Sequence, residues 1–338
     1  MSDAAPGAQA GSVDNGGVHC THERFCSLCG SPGKLLHGGL SDHEFGAPGV
    51  WSVRRCTAPD CGLAWLDPRP LTAEIGKLYA RYYTHTVDSA DDGSPELRSY
   101  DSTGAKKLLK QCLAALFFWR RAAFQSDRNY LQGVPPGRLL DVGCGNGLFM
   151  GSMARLGWSA HGIDFDANAL MQAQRYAGVT TAQGDLVEQA LPPASFDAIH
   201  LGNVIEHLPE PASTLAECHR LLKPGGRLVL ITPNIDSLGH RLFGPDWRGL
   251  EAPRHLFLFN GRSLSRLARS AGFVAPRVFS VPGDRAGAGY IVEQSAHNAR
   301  AAGRVPPRVA VRSLMLKERA LDLAGRRVGE WIVLIARR

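Results

Sequence analysis

From Arg138 onward the sequence alternates between two periodicities, and this alternation restricts the possible folds more than any other feature of the chain. "RLLDVG" is a continuous apolar run of the kind buried on both faces of a parallel sheet, and "LFMGSMARLG" follows with helical spacing and a closing Gly157. The strand pattern returns in "SAHGID", "TTAQGD", "FDAIHL" and "RLVLITPN", separated by the helix-like "ANALMQAQRYA" and "PASTLAECHRLLKPGG". "SLSRLARSAGF", "APRVFSV" and the terminal "EWIVLIA" complete the series. Repeated strand and helix units predict an α/β, doubly wound sheet with helices on both faces. An Ala/Gly/Arg-rich insertion at about 283–328 shows no clear element pattern.

The first strand runs into "DVGCGNG". Glycines at such a turn tolerate tight backbone angles and let a ligand approach the main chain. A dinucleotide site would want G-x-G-x-x-G, with pyrophosphate on the helix N-terminus. Here Gly143, Gly145 and Gly147 give G-x-G-x-G, position 148 is Leu, and Asp141 stands where its charge would repel a pyrophosphate but attract an ammonium. Asp164 ends the second strand, 21 residues after Gly143, placed to accept from ribose hydroxyls. Asp185 ends the third strand, where an adenine amine can be read. An ammonium, a ribose diol and an adenine without phosphate describe S-adenosylmethionine.

With these residues in hand, "LLDVGCGNGLF", "GIDFDANAL", "GDL", "SFDAIHLGNVIEHLPEP" and "LLKPGGRLVLITPN" resemble, in order and spacing, the motifs of class I S-adenosylmethionine-dependent methyltransferases. The likeness covers about 138–281. It implies a Rossmann-like, seven-stranded methyltransferase sheet in which Asp141, Gly143, Gly145 and Gly147 cradle the methionyl part. It also implies that Asp164 holds the ribose, that Asp185 and Leu186 hold the adenine, and that Asn203 borders the sulfonium. The block "FGPDWRGLEAPRHLFLFNGRSLSRLARSAGF" further resembles the ubiquinone-biosynthesis type of small-molecule methyltransferases, implying O- or N-methylation of a small or lipid-linked acceptor.

A sulfonium leaves without acid assistance, so alignment of the nucleophile dominates; a base adds about 10²–10⁴-fold where a hydroxyl must lose its proton. His207, just after the fourth strand, and His255, in the segment 235–262 expected to form a substrate loop, are the candidates. The ordinary alternative for His207 is a structural histidine beside Glu206. Trp247 and Arg248 are candidate wall and anion contacts.

Ahead of this domain, "CSLCG" and "CTAPDCG" pair Cys26 with Cys29 and Cys56 with Cys61. Four thiolates on two turns fit a tetrahedral Zn2+ site, and 23–70 reads as a separate zinc-ribbon-like module. Residues 1–22 are expected to be disordered, 71–130 to form a helical connector, and 131–338 the methyltransferase domain. In ribbon-bearing sugar-nucleotide methyltransferases such a module helps enclose the acceptor, which would make Tyr79, Tyr82 and Tyr83 substrate neighbours; packing residues of a helix is the plainer reading. Cys112, Cys144 and Cys218 read as small core residues.

Net charge is +7, and from Pro282 to Arg338 there are 11 Lys/Arg against 5 Asp/Glu. That excess could attract phosphate, RNA or an anionic membrane surface, and a solvated basic face is the commoner explanation. The amphipathic "CLAALFFW" at Cys112–Trp119 is too short to span a bilayer, although it could lie in an interface. The absence of a leader and the size of the chain point to reduced cysteines and a cytoplasmic location. The expected activity is methyl transfer to a small-molecule, lipid- or sugar-linked acceptor. A ribosomal RNA methyltransferase with a zinc-containing RNA reader, and a non-catalytic S-adenosylmethionine-binding protein, are the alternatives. Oligomeric state is not readable.

Overall fold

In a computed structural model of the chain, residues 12–80, 130–283 and 285–338 are described. The connector beyond residue 80, with Cys112–Trp119, Tyr82 and Tyr83, lies outside them, as do residues 1–11.

Six short strands come first: β1 (Val13–Asp14), β2 (His19–Thr21), β3 (Gly33–Leu40), β4 (Trp51–Cys56), β5 (Ala64–Asp67) and β6 (Arg69–Pro70). β1, β2 and β6 form one small sheet. Two of its strands lie within the stretch expected to be disordered. What holds them is specific: Val18 and Cys20 are fully buried, and Asn15 exchanges two hydrogen bonds with Val50.

β7 (Arg138–Val142), β8 (Ser159–Asp164), β9 (Val179–Gln183), β10 (Phe196–Gly202) and β11 (Leu222–Pro233) build the parallel part of the central sheet. After the two-residue β12 (Phe257–Leu258) come β13 (Val274–Val281) and β14 (Trp331–Arg337), the latter inserted antiparallel between β11 and β13. The seven strands therefore run β13-β14-β11-β10-β7-β8-β9, as the expected fold requires. The chain steps outward from β7 to β9 and then returns to lay β10 on the other side of β7, so a crevice opens outside the carboxyl ends of these two strands.

Helices α1 (Leu148–Arg155), α2 (Ala167–Ala173), α3 (Pro211–Leu221), α4 (Leu238–Phe243) and α5 (Gly261–Ser270) lie where the sequence spacing predicts helix or loop. Asn260 caps α5 with a reciprocal hydrogen-bond pair to Ser263. The insertion forms α6 (Arg285–Ala301) and α7 (Val311–Leu323), packed on each other. No helix among the described residues is long and apolar enough to cross a membrane.

The cysteine-bearing part is not separate, contrary to expectation. β12 pairs antiparallel with β5, matching Phe257 to Trp65 and Leu258 to Ala64, and so supplies a fourth strand to the sheet of β3, β4 and β5. One apolar core runs from Trp51, Leu63 and Trp65 through Phe257 and Phe259 to Leu264 and Leu267. Full burial of each such side chain is worth roughly 1.5–3 kcal/mol, so the junction contributes to the stability of both parts. The segment 235–262 is accordingly a packed element rather than an open loop.

Candidate functional site

The turn after β7 is built by close approach. Gly143 has φ 69°, and a Cβ there would stand 2.3 Å from Val204. Gly147, with φ 78°, would drive a Cβ to within 2.6 Å of Ala173 on α2. Between them the Gly145 N–H donates to Asp164 Oδ2 at 2.8 Å, while the Asp166 N–H donates to Asp164 Oδ1 at 3.0 Å. Each carboxylate oxygen accepts one backbone hydrogen bond and keeps a second lone pair for a ligand hydroxyl. Phe165, next in the chain, is 65% exposed. An aromatic ring open to water beside a carboxylate with free lone pairs is a surface on which a planar base can stack. Sequence reasoning passed over it, although its place after the strand-ending acid was a usable signal.

Asp185 accepts the Val187 N–H at 2.8 Å, which shapes the short turn behind β9, and Leu186 is buried beneath it. Asn203 leaves β10 in the left-handed region, φ 54°, its N–H donating to the Ile231 carbonyl at 2.9 Å. Asp141, expected to help cradle the methionyl part, has an internal partner. Its carboxylate is buried and takes a hydrogen bond from His200 Nδ1 at 2.7 Å. Burial pushes this carboxyl up, against the pull of His200. The pair arises because Asp141 and His200 face each other across the β7–β10 ladder.

His207 and His255 do come together, with ring centroids 4.7 Å apart in an edge arrangement. His207 Nδ1 lies 3.1 Å from the Arg254 carbonyl and 2.9 Å from the Tyr79 hydroxyl. A carbonyl only accepts, so Nδ1 carries the proton and Nε2 keeps its lone pair. His255 is pinned: Nδ1 donates to the Gly249 carbonyl at 2.9 Å, and Nε2 lies 3.5 Å from Glu251. Burial holds His207 below its ordinary range and takes His255 down to about 3, outweighing the opposing charge of Glu251. Burial likewise raises Glu206 to about 8; its Oε2 accepts from Thr232, whereas Oε1 has no partner. Glu206, His207 and His255 present ligand atoms within 4.8 Å of one another, a spacing a cation can bridge.

Glu251 is the hub beneath these groups. It is bonded to Arg248 and, at 3.2 Å, to Arg254; Arg248 reaches Glu44 at 3.0 Å and Arg254 reaches Asp42 at 2.7 Å. Neighbouring His255, Arg248, His207 and Arg254 overcome the effect of burial and hold the Glu251 carboxyl well below its usual range. Arg248 thus already pairs with Glu44 and Glu251 and donates to the Tyr290 hydroxyl. Trp247 is buried and donates to Glu330 at 2.8 Å.

Cys26, Cys29, Cys56 and Cys61 offer four sulfurs within 4.8 Å of one another, Cys26 to Cys61 at 3.7 Å and Cys29 to Cys56 at 3.4 Å. A regular tetrahedron with Zn–S bonds of about 2.3 Å has edges of about 3.8 Å, so the spacing and the donor set fit that ion. Cys144 and Cys218 are buried among apolar neighbours, as expected.

A methyltransferase domain family matches residues 118–275. That stretch of the chain is similar to a methyltransferase domain. The chain is 40% identical over 101 residues to a ubiquinone biosynthesis O-methyltransferase of Ralstonia nicotianae, covering 28% of this chain and 42% of the relative. An uncharacterized 37.1 kDa protein in transposon TN4556 of Streptomyces fradiae is 35% identical over 165 residues, 45% of this chain and 47% of that protein. The chain thus spans less than half the length of these curated relatives. Among solved structures, a SAM dependent methyltransferase from Archaeoglobus fulgidus aligns over 72% of this chain and 99% of that one, at 19% identity and a TM-score of 0.44.

Proposed function

We propose that the protein transfers a methyl group from S-adenosylmethionine to an oxygen or nitrogen of a small-molecule, lipid- or sugar-linked acceptor. The observation carrying this reading is Asp164, fixed by two backbone N–H groups at the mouth of the glycine turn with lone pairs left for a diol. When bound, S-adenosylmethionine supplies an electrophilic methyl on a sulfonium that departs without acid help. Asp164 would hold the ribose; Phe165, Leu186 and Asp185 the adenine; Gly143, Gly145 and Gly147 the methionyl chain; and Asn203 the sulfonium edge. Asp141 acts in this reading through His200, fixing the strand pair from which the turn springs.

His207 is the preferred base. Its Nε2 lone pair can take the acceptor proton as the acceptor attacks the methyl carbon and the carbon–sulfur bond breaks. A group near pKa 3, such as His255, is mismatched to neutral pH, so His255 and Tyr79 serve to orient the His207 ring. Replacement of His207 by Ala is expected to slow methyl transfer about 10²-fold or more without changing cofactor affinity. Because burial lowers His207, the acid limb of kcat/KM should fall below pH 6.5. An unchanged rate in the variant, or a limb above that pH, removes His207 from the base role.

The four cysteines would hold one structural zinc, closing the turn of Cys26 and Cys29 onto that of Cys56 and Cys61. Metal analysis should return about one zinc per chain. Chelation should expose four thiols to a thiol reagent together with loss of thermal stability. Full stability with no bound metal contradicts the assignment.

A further inference from the structure

The exposed face of α7 carries cations and leucines and no carboxylate. Arg312, Leu316, Arg319 and Leu323 follow at spacings of four, three and four, one stripe of a helix, with Lys317 beside it. All five are exposed, Leu316 at 67% and Leu323 at 70%. The acids of the same helix are withdrawn: Glu318 is fully buried, and Asp322 accepts a hydrogen bond from Ser280. The flanking segments continue the pattern, with Val305 94% exposed, Arg308 before the helix, and Arg326 and Arg327 after it.

Two large side chains on one water-facing stripe are an apolar cost that a helix packed on a soluble domain need not carry. Cations alone would fit a phosphate backbone, but such a ligand leaves the leucines in water. A surface that is anionic at its boundary and apolar just beneath satisfies both. We propose that α7 seats on an anionic lipid bilayer. Leu316 and Leu323 enter the boundary between headgroups and acyl chains, while Arg312 and Lys317 spread their stems to reach the headgroups. α6 links this face to the segment around Trp247: Ser295 accepts the Arg248 N–H at 3.0 Å, and Arg304 pairs with Asp246. Docking would therefore bring the candidate acceptor side of the molecule to the membrane surface. The inference rests on α7 alone and does not depend on which acceptor is methylated.

The test is co-sedimentation of the full chain with phosphatidylcholine vesicles prepared with and without phosphatidylglycerol. Partition onto the anionic vesicles is expected, weakening as salt screens the cations. L316S/L323S and R312E/K317E should each lower the partition coefficient about tenfold or more, with thermal midpoints like the parent's. Failure of the parent to bind overturns the proposal. So does a leucine variant that binds as the parent does while the charge variant fails, since that pattern describes a purely electrostatic surface for a polyanion such as RNA. Conversion of a dimer to a monomer by the leucine change, with vesicle binding intact, assigns the face to self-association and overturns it as well.

Discussion

Replacing Asp164 by Ala is expected to weaken S-adenosylmethionine binding roughly 100-fold or more, because each hydrogen bond to a charged acceptor is worth about 1.5–3 kcal/mol and two ligand hydroxyls are lost together. The side chain is only partly buried, and its internal bonds go to Gly145 and Asp166 in a surface turn, so the sheet should survive. Equilibrium binding by calorimetry, beside a thermal melt, separates the two effects. Asp164→Asn should recover only part of the affinity, since an amide offers one accepting oxygen instead of two. Undiminished binding by the Ala variant means that the ribose is held elsewhere and that the glycine turn is not the cofactor cradle.

The second large effect is on stability. Glu251 is the shared counter-charge of Arg248 and Arg254, and the side chains of all three are buried. Glu251→Gln keeps the volume but leaves two buried guanidinium groups under-neutralised, and removing one partner of a buried pair costs about 3–5 kcal/mol. Asp42 and Glu44 remain to soften the loss. The pH dependence gives a further check. The folded-state pKa of Glu251 is depressed, so its contribution is fully present above the unfolded value near 4.5 and is lost as pH falls below it. The gap between parent and variant in chemical denaturation should therefore be wide at neutral pH and close on acidification. Equal stability at neutral pH would show that the two arginines are balanced without Glu251.

Much of the fold is readable from local pattern. β7, β10 and β11 carry apolar runs flanked by glycine or an acid, and the third glycine of the turn, Gly147, is demanded by the contact of α1 with α2. The cysteine quartet is equally legible, because two short-range pairs need only one fold-level approximation to meet. What escaped the sequence depends on distant partners. β12 joins a sheet formed about 190 residues earlier, and only the apolar texture of "HLFLF" hinted that it was not a loop. His200 is visible as the partner of Asp141 only once β10 is aligned with β7. Arg248 reads as an anion ligand in isolation, yet burial obliges it to carry its own carboxylates. Helix α6 of the insertion is masked by its alanines and glycines, which give weak periodicity despite a helical backbone.

These differences move the chemistry rather than the fold. Asp164, Asp185 and the glycines lie at the carboxyl ends of β7, β8 and β9, where the sequence pattern sets them. The acceptor end we propose is a network in which His255, held beside Glu251, packs edge-on against the His207 ring. The direct test is to incubate the purified protein with methyl-labelled S-adenosylmethionine and a cell extract, then follow the label into small-molecule, lipid, protein and RNA fractions. Label in the small-molecule or lipid fraction, absent with Asp164→Ala, is the predicted result. Label confined to nuclease-sensitive material, or none above an enzyme-free control, would contradict it.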